Sequence, residues 1–212
     1  MTQWDQILRN KHYSEEEPDE AIAEVITRLA NRGQTLKVLD LACGAGRHTV
    51  YVAKHNLEAH GTDFSQTGLK KTKNRLKKQK LSGNLVKCDM KALPYADSCF
   101  DAVICFQAIY HQKQKAIRRT IAEIQRILKK NGIFLTNFLS KNTYSFGKGI
   151  KIEKDTFAET QGPEKGVLHQ FVDKNGLMAL MKGFKTIRSE LRERSVEGRL
   201  RSTWLVEATF ED

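Results

Sequence analysis

"VLDLACGAGRHT", residues 38–49, joins a run of buried-type residues to a loop of small ones, with one carboxylate, Asp40, at the junction. The apolar run reads as a strand and the following "GRHTVYVAKHN" as a helix, with the glycines making the tight turn between them. The same rhythm continues downstream. "LEAHGTDFS" supplies a second strand, and Ser65 is placed to cap the basic helix after it. Residues 84–88 make a third strand and "FDAVICFQAI" a fourth. A helix over 114–130 carries Ile117, Ile121, Ile124 and Leu128 on one face, ends at Asn131-Gly132, and leads into a fifth strand, "IFLTNFL". Upstream, Glu15, Glu16, Glu17, Pro18 and Asp19 precede a helix striped by Ile22, Val25, Ile26 and Leu29 and stopped by Gly33.

Strands that are apolar almost throughout and alternate with helices imply a parallel sheet covered on both faces. After residue 138 the rhythm changes to a stretch rich in Gly, Lys and Thr, then a short helix in "DKNGLMALMKG". "FKTIRSELRERSV", the Glu197-Gly198 turn and "RLRSTWLVEATF" alternate apolar and polar residues as an antiparallel hairpin does. The fold class expected is therefore α/β: a doubly wound, mostly parallel, seven-stranded Rossmann-like sheet ending in an antiparallel hairpin. Its 212 residues suit one domain, 1–212, with 1–34 as an N-terminal cap helix segment and 139–168 as a variable insertion on the substrate side.

Hydrophobic residues at 40% and charged residues at 29% describe an ordinary globular chain. The first thirty residues lack a signal-peptide pattern and no apolar run reaches membrane-spanning length, so a cytoplasmic location is expected, with no membrane contact. Cys43, Cys88, Cys99 and Cys105 form no CxxC and the histidines are scattered, so reduced thiols and no metal site are expected. Much of the net charge of +11 lies in "LKKTKNRLKKQK", 69–80, which reads as a surface helix with a solvated basic side. No aromatic residue interleaves these lysines, so nucleic acid is an available partner but not the favoured one.

In a doubly wound sheet, ligands bind beyond the carboxyl ends of the strands, where the strand order reverses. Residues 42–46 form that rim, and Gly44 and Gly46 let the backbone pass close beneath a ligand. On the same rim, Asp63 ends strand two and suits the two hydroxyls of a ribose. Asp89 and Met90 follow strand three and suit an adenine amine and ring, and Phe106 ends strand four. A dinucleotide loop would carry a third glycine where Thr49 stands, and Asp40 would repel a pyrophosphate. Asp40 instead suits a ligand with a cationic amino-acid end and no phosphate, which S-adenosylmethionine has.

The chain resembles class I S-adenosylmethionine-dependent methyltransferases over nearly its whole length. "VLDLACGAG" is similar to their cofactor loop, with Ala42 in place of a glycine; "GTDFS" to the acidic ribose strand; and "CDMKALPYADSCFDAVICF" to the adenine loop and fourth strand. "ILKKNGIFL" resembles the turn into strand five, with Lys130 and Asn131 where the family usually has proline and glycine. More loosely, "WDQILRNKHYSEEEPDEAIAEVI" and "HQFVDKNGLMALMKGFK" resemble tellurite-resistance-type and related small-molecule methyltransferases. The resemblance implies S-adenosylmethionine as cofactor, S-adenosylhomocysteine as product, and Asp40, Ala42, Cys43, Gly44, Gly46, Asp63, Phe64, Asp89, Met90 and Phe106 as cofactor-binding positions.

Methyl transfer is an in-line displacement, and a general base is needed only where the acceptor starts protonated. Tyr110 and His111, past strand four, and His169, before the last short helix, are the catalytic candidates. Tyr13, Arg194 and Arg201 are candidates for contact with the acceptor, Arg194 and Arg201 suiting an anionic one. The leading expectation is transfer to a small molecule. The rivals are a methyltransferase of RNA or protein, a non-catalytic S-adenosylmethionine-binding regulatory protein, and an NAD-binding enzyme. The acceptor and the oligomeric state are open at the level of sequence.

Overall fold

The computed structural model describes residues 2–10 and 13–211. In chain order the elements are α1 (Gln3–Ile7), α2 (Glu20–Ala30), β1 (Lys37–Leu41), α3 (Arg47–Lys54), β2 (Glu58–Asp63), α4 (Gln66–Lys78), β3 (Asn84–Lys87), β4 (Phe100–Cys105), α5 (Gln114–Ile127), β5 (Leu128–Ser140), β6 (Ile150–Glu153), β7 (Thr156–Ala158), β8 (Leu168–Val172), α6 (Lys174–Leu180), β9 (Phe184–Val196) and β10 (Arg199–Phe210). Strands β3, β2, β1, β4 and β5 lie side by side and parallel. β10 runs antiparallel against β5, and β9 against β10. Strand order reverses between β1 and β4, so the open crevice lies at their carboxyl ends.

The alternation of side chains along the central strands divides the interior into two cores. On β4, Val103 and Cys105 face the core closed by Ile117, Ile121 and Ile124 of α5, whereas Ala102 and Ile104 face the core closed by α2 and α3. The stripe Ile22, Val25, Ile26 and Leu29 of α2 is fully buried there, which is why α2 keeps its polar face outward. Among the described residues, no helix is long and apolar enough to cross a membrane.

The seven expected strands are all present, but the sheet has ten. The additional three come from the stretch after residue 138. β6 and β7 form a hairpin, and β8 pairs parallel with β5 at Leu139 and Ser140, beyond the last β4 pairing at Cys105 and Thr136. Two boundaries also move. β4 stops at Cys105, not at Ile109, because Gln107 takes a left-handed backbone (φ 55°) and its amide donates to Asn137 Oδ1 at 2.7 Å. α5 ends at Ile127, so Asn131-Gly132 falls inside β5 at an irregularity in its pairing with β4, with Asn131 left-handed at φ 61°. The short α1 has no counterpart in the sequence reading. It is fixed by a capping box between Thr2 and Asp5, and Asp5 also accepts from Ser65 Oγ at 2.6 Å and the Thr67 amide at 2.9 Å.

Ala42 sits at φ 58°, a conformation that costs an L-residue roughly 1–2 kcal/mol. Ala42→Gly is expected to raise the thermal midpoint by about 2–4 °C per kcal/mol relieved. Differential scanning fluorimetry checks this, and a lower midpoint would mean that the methyl group's packing outweighs its strain.

Candidate active site

The carboxyl ends of β1, β2 and β4 open into a cavity of about 1510 Å³. One wall is the loop 42–46, whose last residue, Gly46, is the left-handed N-cap of α3 (φ +82°). The loop is tied to β2 by Asp63. Its Oδ2 accepts from the Gly44 amide at 2.7 Å and its Oδ1 from the Ser65 amide at 2.7 Å. Burial pushes the Asp63 carboxyl up from its ordinary range, against the pull of these two amides. Cys88, Asp89 and Met90 continue the wall, Asp89 paired with Lys91 at 3.1 Å and Met90 Sδ receiving Gln112 Nε2 at 3.0 Å. Phe106 stands edge-on to His48, and Phe64 is half exposed at the rim.

Asp40 is corrected by the structure. It is buried behind the loop and does not line the cavity. Its Oδ2 accepts from the Thr49 amide at 2.9 Å and the Thr49 hydroxyl at 2.7 Å, so the carboxylate serves the first turn of α3 instead of facing a ligand. Burial raises its pKa to about 6 despite these bonds. Strand alternation explains the placement, since the side chain at this position turns away from the rim that its backbone approaches.

The basic helix is also corrected, in part. Arg75 donates to the carbonyls of Ser14 (2.6 Å) and Glu15 (2.7 Å), and Lys71 to Ser14 Oγ (2.7 Å). These two cations of α4 clamp the N-terminal segment over the cavity, while Arg47 at the start of α3 pairs with Glu15 and donates to Gln107 Oε1 at 3.0 Å.

Elsewhere on the cavity wall, side chains distant in sequence converge. His169 Nε2 lies 3.0 Å from Glu164 Oε2, and the Tyr13 hydroxyl also bonds to Glu164. The His111 ring meets Trp4 edge-on and His169 at a tilt, each ring centre 4.9 Å away, with the tilted Tyr110 ring at 4.5 Å. Its Nδ1 donates to the Leu168 carbonyl at 3.1 Å. Burial, then the neighbouring His169, lowers His111 to about 4, so its ring is neutral at physiological pH. Burial tends to raise Glu164, but His169, His111 and the Tyr13 hydroxyl outweigh it and hold the carboxyl below its ordinary range. Burial and then Glu164 raise the Tyr13 phenol to about 12. Because a carboxylate only accepts, His169 donates to Glu164 from Nε2.

Tyr13, Tyr110, His111, His169, Arg194 and Arg201 therefore share one cavity with Gly44, Asp63, Asp89, Met90 and Phe106. Sequence reading missed Glu164, a lone acid in a stretch without periodicity, and also Gln107 and Asn137. Their position just past the ends of β4 and within β5 was the available signal for the last two. The wall beside the glycine loop is rich in acids, Glu15, Glu16, Glu17, Asp19, Asp63 and Asp89, and its nearby cations Arg47 and Lys91 already meet acids. This set of acceptors fits a ligand with hydroxyls, an amine and a positive charge, and disfavours a pyrophosphate.

Residues 38–132 match the family model of a methyltransferase domain. A probable S-adenosylmethionine-dependent methyltransferase of Mycobacterium tuberculosis is 26% identical over 60% of this chain and 44% of its own length. The chain spans about half the length of the curated relatives it matches. Among solved structures, a SAM-dependent methyltransferase of Methanosarcina mazei superposes with a TM-score of 0.74 at 17% identity, covering 87% of this chain and 97% of that one. The 1,6-didemethyltoxoflavin-N1-methyltransferase of Burkholderia thailandensis, solved with S-adenosylhomocysteine, gives 0.69 at 20% identity over 92% and 80%. With its doubly wound sheet and its glycine loop, the chain has the fold of these S-adenosylmethionine-dependent methyltransferases, and residues 38–132 are similar to a methyltransferase domain.

Proposed function

We propose that the protein transfers the methyl group of S-adenosylmethionine to a small-molecule acceptor. The observation that carries this reading is the single cavity that runs from the Gly44–Asp63 rim to the Glu164–His169 pair under the N-terminal segment. The bound cofactor supplies a methyl carbon made electrophilic by a sulfonium, whose sulfur keeps the electron pair as the acceptor's bond to carbon forms. Asp63 accepts from the ribose hydroxyls, Asp89 from the adenine amine, and Met90 and Phe106 pack against the ring. Phe64, Ala42, Cys43, Gly44 and Gly46 shape the floor. Asp40 acts from behind, by holding Thr49 and with it the loop.

Within the same cavity His169, steadied by Glu164, takes the acceptor's proton at Nδ1. His111 and Tyr110 fix the ring beside it, and Tyr13 closes the wall by its bond to Glu164. Trp4 and the segment around Glu15, clamped by Arg75, keep water out, which strengthens each electrostatic contact inside. The acidic rim argues against a polyanionic acceptor such as RNA.

Calorimetric titration of S-adenosylmethionine, S-adenosylhomocysteine and NAD into the wild type and Asp63→Ala tests the cofactor half. The two methionine-derived ligands are expected to bind and NAD not to. The substitution is expected to weaken binding by about 1–3 kcal/mol through the unpaired hydroxyls and the released Gly44 amide. Absence of binding, or tighter binding of NAD, would overturn the reading.

A further inference from the structure

We propose that the methyl acceptor is a small anion whose charged group is held between Arg194 and Arg201. The proposal rests on the methyltransferase reading above and names the acceptor's chemical class. In the β9–β10 hairpin, Arg194 and Arg201 are direct cross-strand partners, and both line the cavity. Like charges placed opposite each other across a strand pair are destabilising. The neighbouring arginines show how this hairpin manages such charge elsewhere. Arg192, one position deeper on the same face, meets Asp19 at 3.3 Å and Glu190 at 3.8 Å. Arg199, one position further out, lies over the Tyr144 ring at 5.4 Å. Among the described residues, neither Arg194 nor Arg201 lies within ion-pair distance of a carboxylate.

Arg201 lines this cavity as an exposed residue, close enough for its charge to oppose the burial that raises the Tyr13 and Tyr110 phenols. Two guanidinium groups on facing cross-strand positions of one cavity wall can each bind a carboxylate or phosphate through paired N–H donors. The cavity thus has acids beside the glycine loop, several of them already paired with Arg47, Lys91 and Arg192, and two cations without a carboxylate partner on the hairpin wall, where Glu193 also lies. A molecule with one anionic end and a neutral nucleophile fits this polarity, whereas a polyanion would meet the acids. Tyr13 and Tyr110 share the cavity with the arginines and belong to the same side-chain cluster as His169, so an anion on the hairpin would leave the rest of the molecule directed toward that cluster.

The test uses the whole chain saturated with S-adenosylhomocysteine, titrated with 4-hydroxybenzoate, phenyl phosphate and the neutral 4-hydroxybenzamide. At least one anion is expected to bind, and the amide at least about tenfold more weakly, since a charged hydrogen bond contributes more than a neutral one. Arg194→Gln and Arg201→Gln are each expected to weaken that anion by about tenfold or more, with the amide and S-adenosylhomocysteine unaffected. Without any anion, both variants are expected to melt no lower than the wild type, because a like-charge opposition has been removed. Equal binding of amide and carboxylate, anion affinity indifferent to both substitutions, or failure of both anions to bind would each overturn the proposal. Failure of S-adenosylhomocysteine to bind appears in its own titration and removes the cofactor reading instead. The ratio of carboxylate to phosphate affinity identifies which anion the pair is shaped for.

Discussion

His169→Ala is expected to lower kcat by roughly 10²–10⁴-fold for an acceptor that starts protonated, the usual contribution of a placed general base. The affinity for S-adenosylmethionine, measured by calorimetry, should stay unchanged, because Asp63 is bonded to the Gly44 and Ser65 amides and His169 to Glu164, with no bond between the two sets. Alkaline rescue distinguishes proton transfer from mere packing. Above the acceptor's own pKa the proton is already gone, so the variant should recover much of its kcat there while the wild type changes little. Glu164→Gln keeps the shape of the 3.0 Å contact with His169 but removes the charge, and should give a smaller loss with the same alkaline recovery. A variant whose deficit is equal at every pH would show that His169 only fills space. His111 is held neutral by its burial, with its Nδ1 proton on the Leu168 carbonyl.

Gly46→Ala is expected to produce a large loss of stability. The added methyl group would pay for a left-handed backbone, roughly 1–2 kcal/mol, and would collide with Thr72, whose own Cβ lies 2.8 Å from the new atom. Overpacking of this kind costs a further 1–3 kcal/mol or so. Thr72 cannot simply swing aside, since its hydroxyl bonds to the carbonyls of Gly44 (3.0 Å) and Gly68 (3.2 Å). Urea denaturation should show the midpoint falling at constant m, with cofactor affinity reduced as the loop shifts. Adding Thr72→Ala should recover only part of the loss, because the Cβ contact remains. An unchanged midpoint would mean that the loop has more room than its geometry indicates.

The parallel sheet was legible because its strands are buried on both faces and read as continuous apolar runs, and the helices because their stripes recur at helical spacing. The final hairpin was legible from its turn: Glu197 and Gly198 both adopt positive φ (51° and 71°), as a two-residue reversal between twisted strands requires. β6 to β8 were not legible. They are short, and β8 owes its place to the exposed end of β5 more than to any pattern of its own. Asp40 was misjudged for a related reason: sequence gives its distance from the glycines but not the direction in which its side chain leaves the strand. The placement of Asp63, Asp89 and Phe106 at the rim followed from strand ends alone. Glu164 gained meaning only once folding set it against Tyr13 and His169.

The hairpin has a consequence for the order in which the chain acquires its shape. The five central parallel strands and helices α2 to α5 are complete once β5 is made. The outer edge of β5 must wait much longer for its partner, since Leu139 pairs with Thr203 and Ile133 with Thr209. During synthesis, a buried-type strand therefore stands with one edge unsatisfied while α6 and β9 are still emerging, the state in which strands most readily recruit a wrong neighbour. The charges of Arg192, Arg194, Arg199 and Arg201 are of the kind that opposes pairing between copies of such a ribbon before it docks.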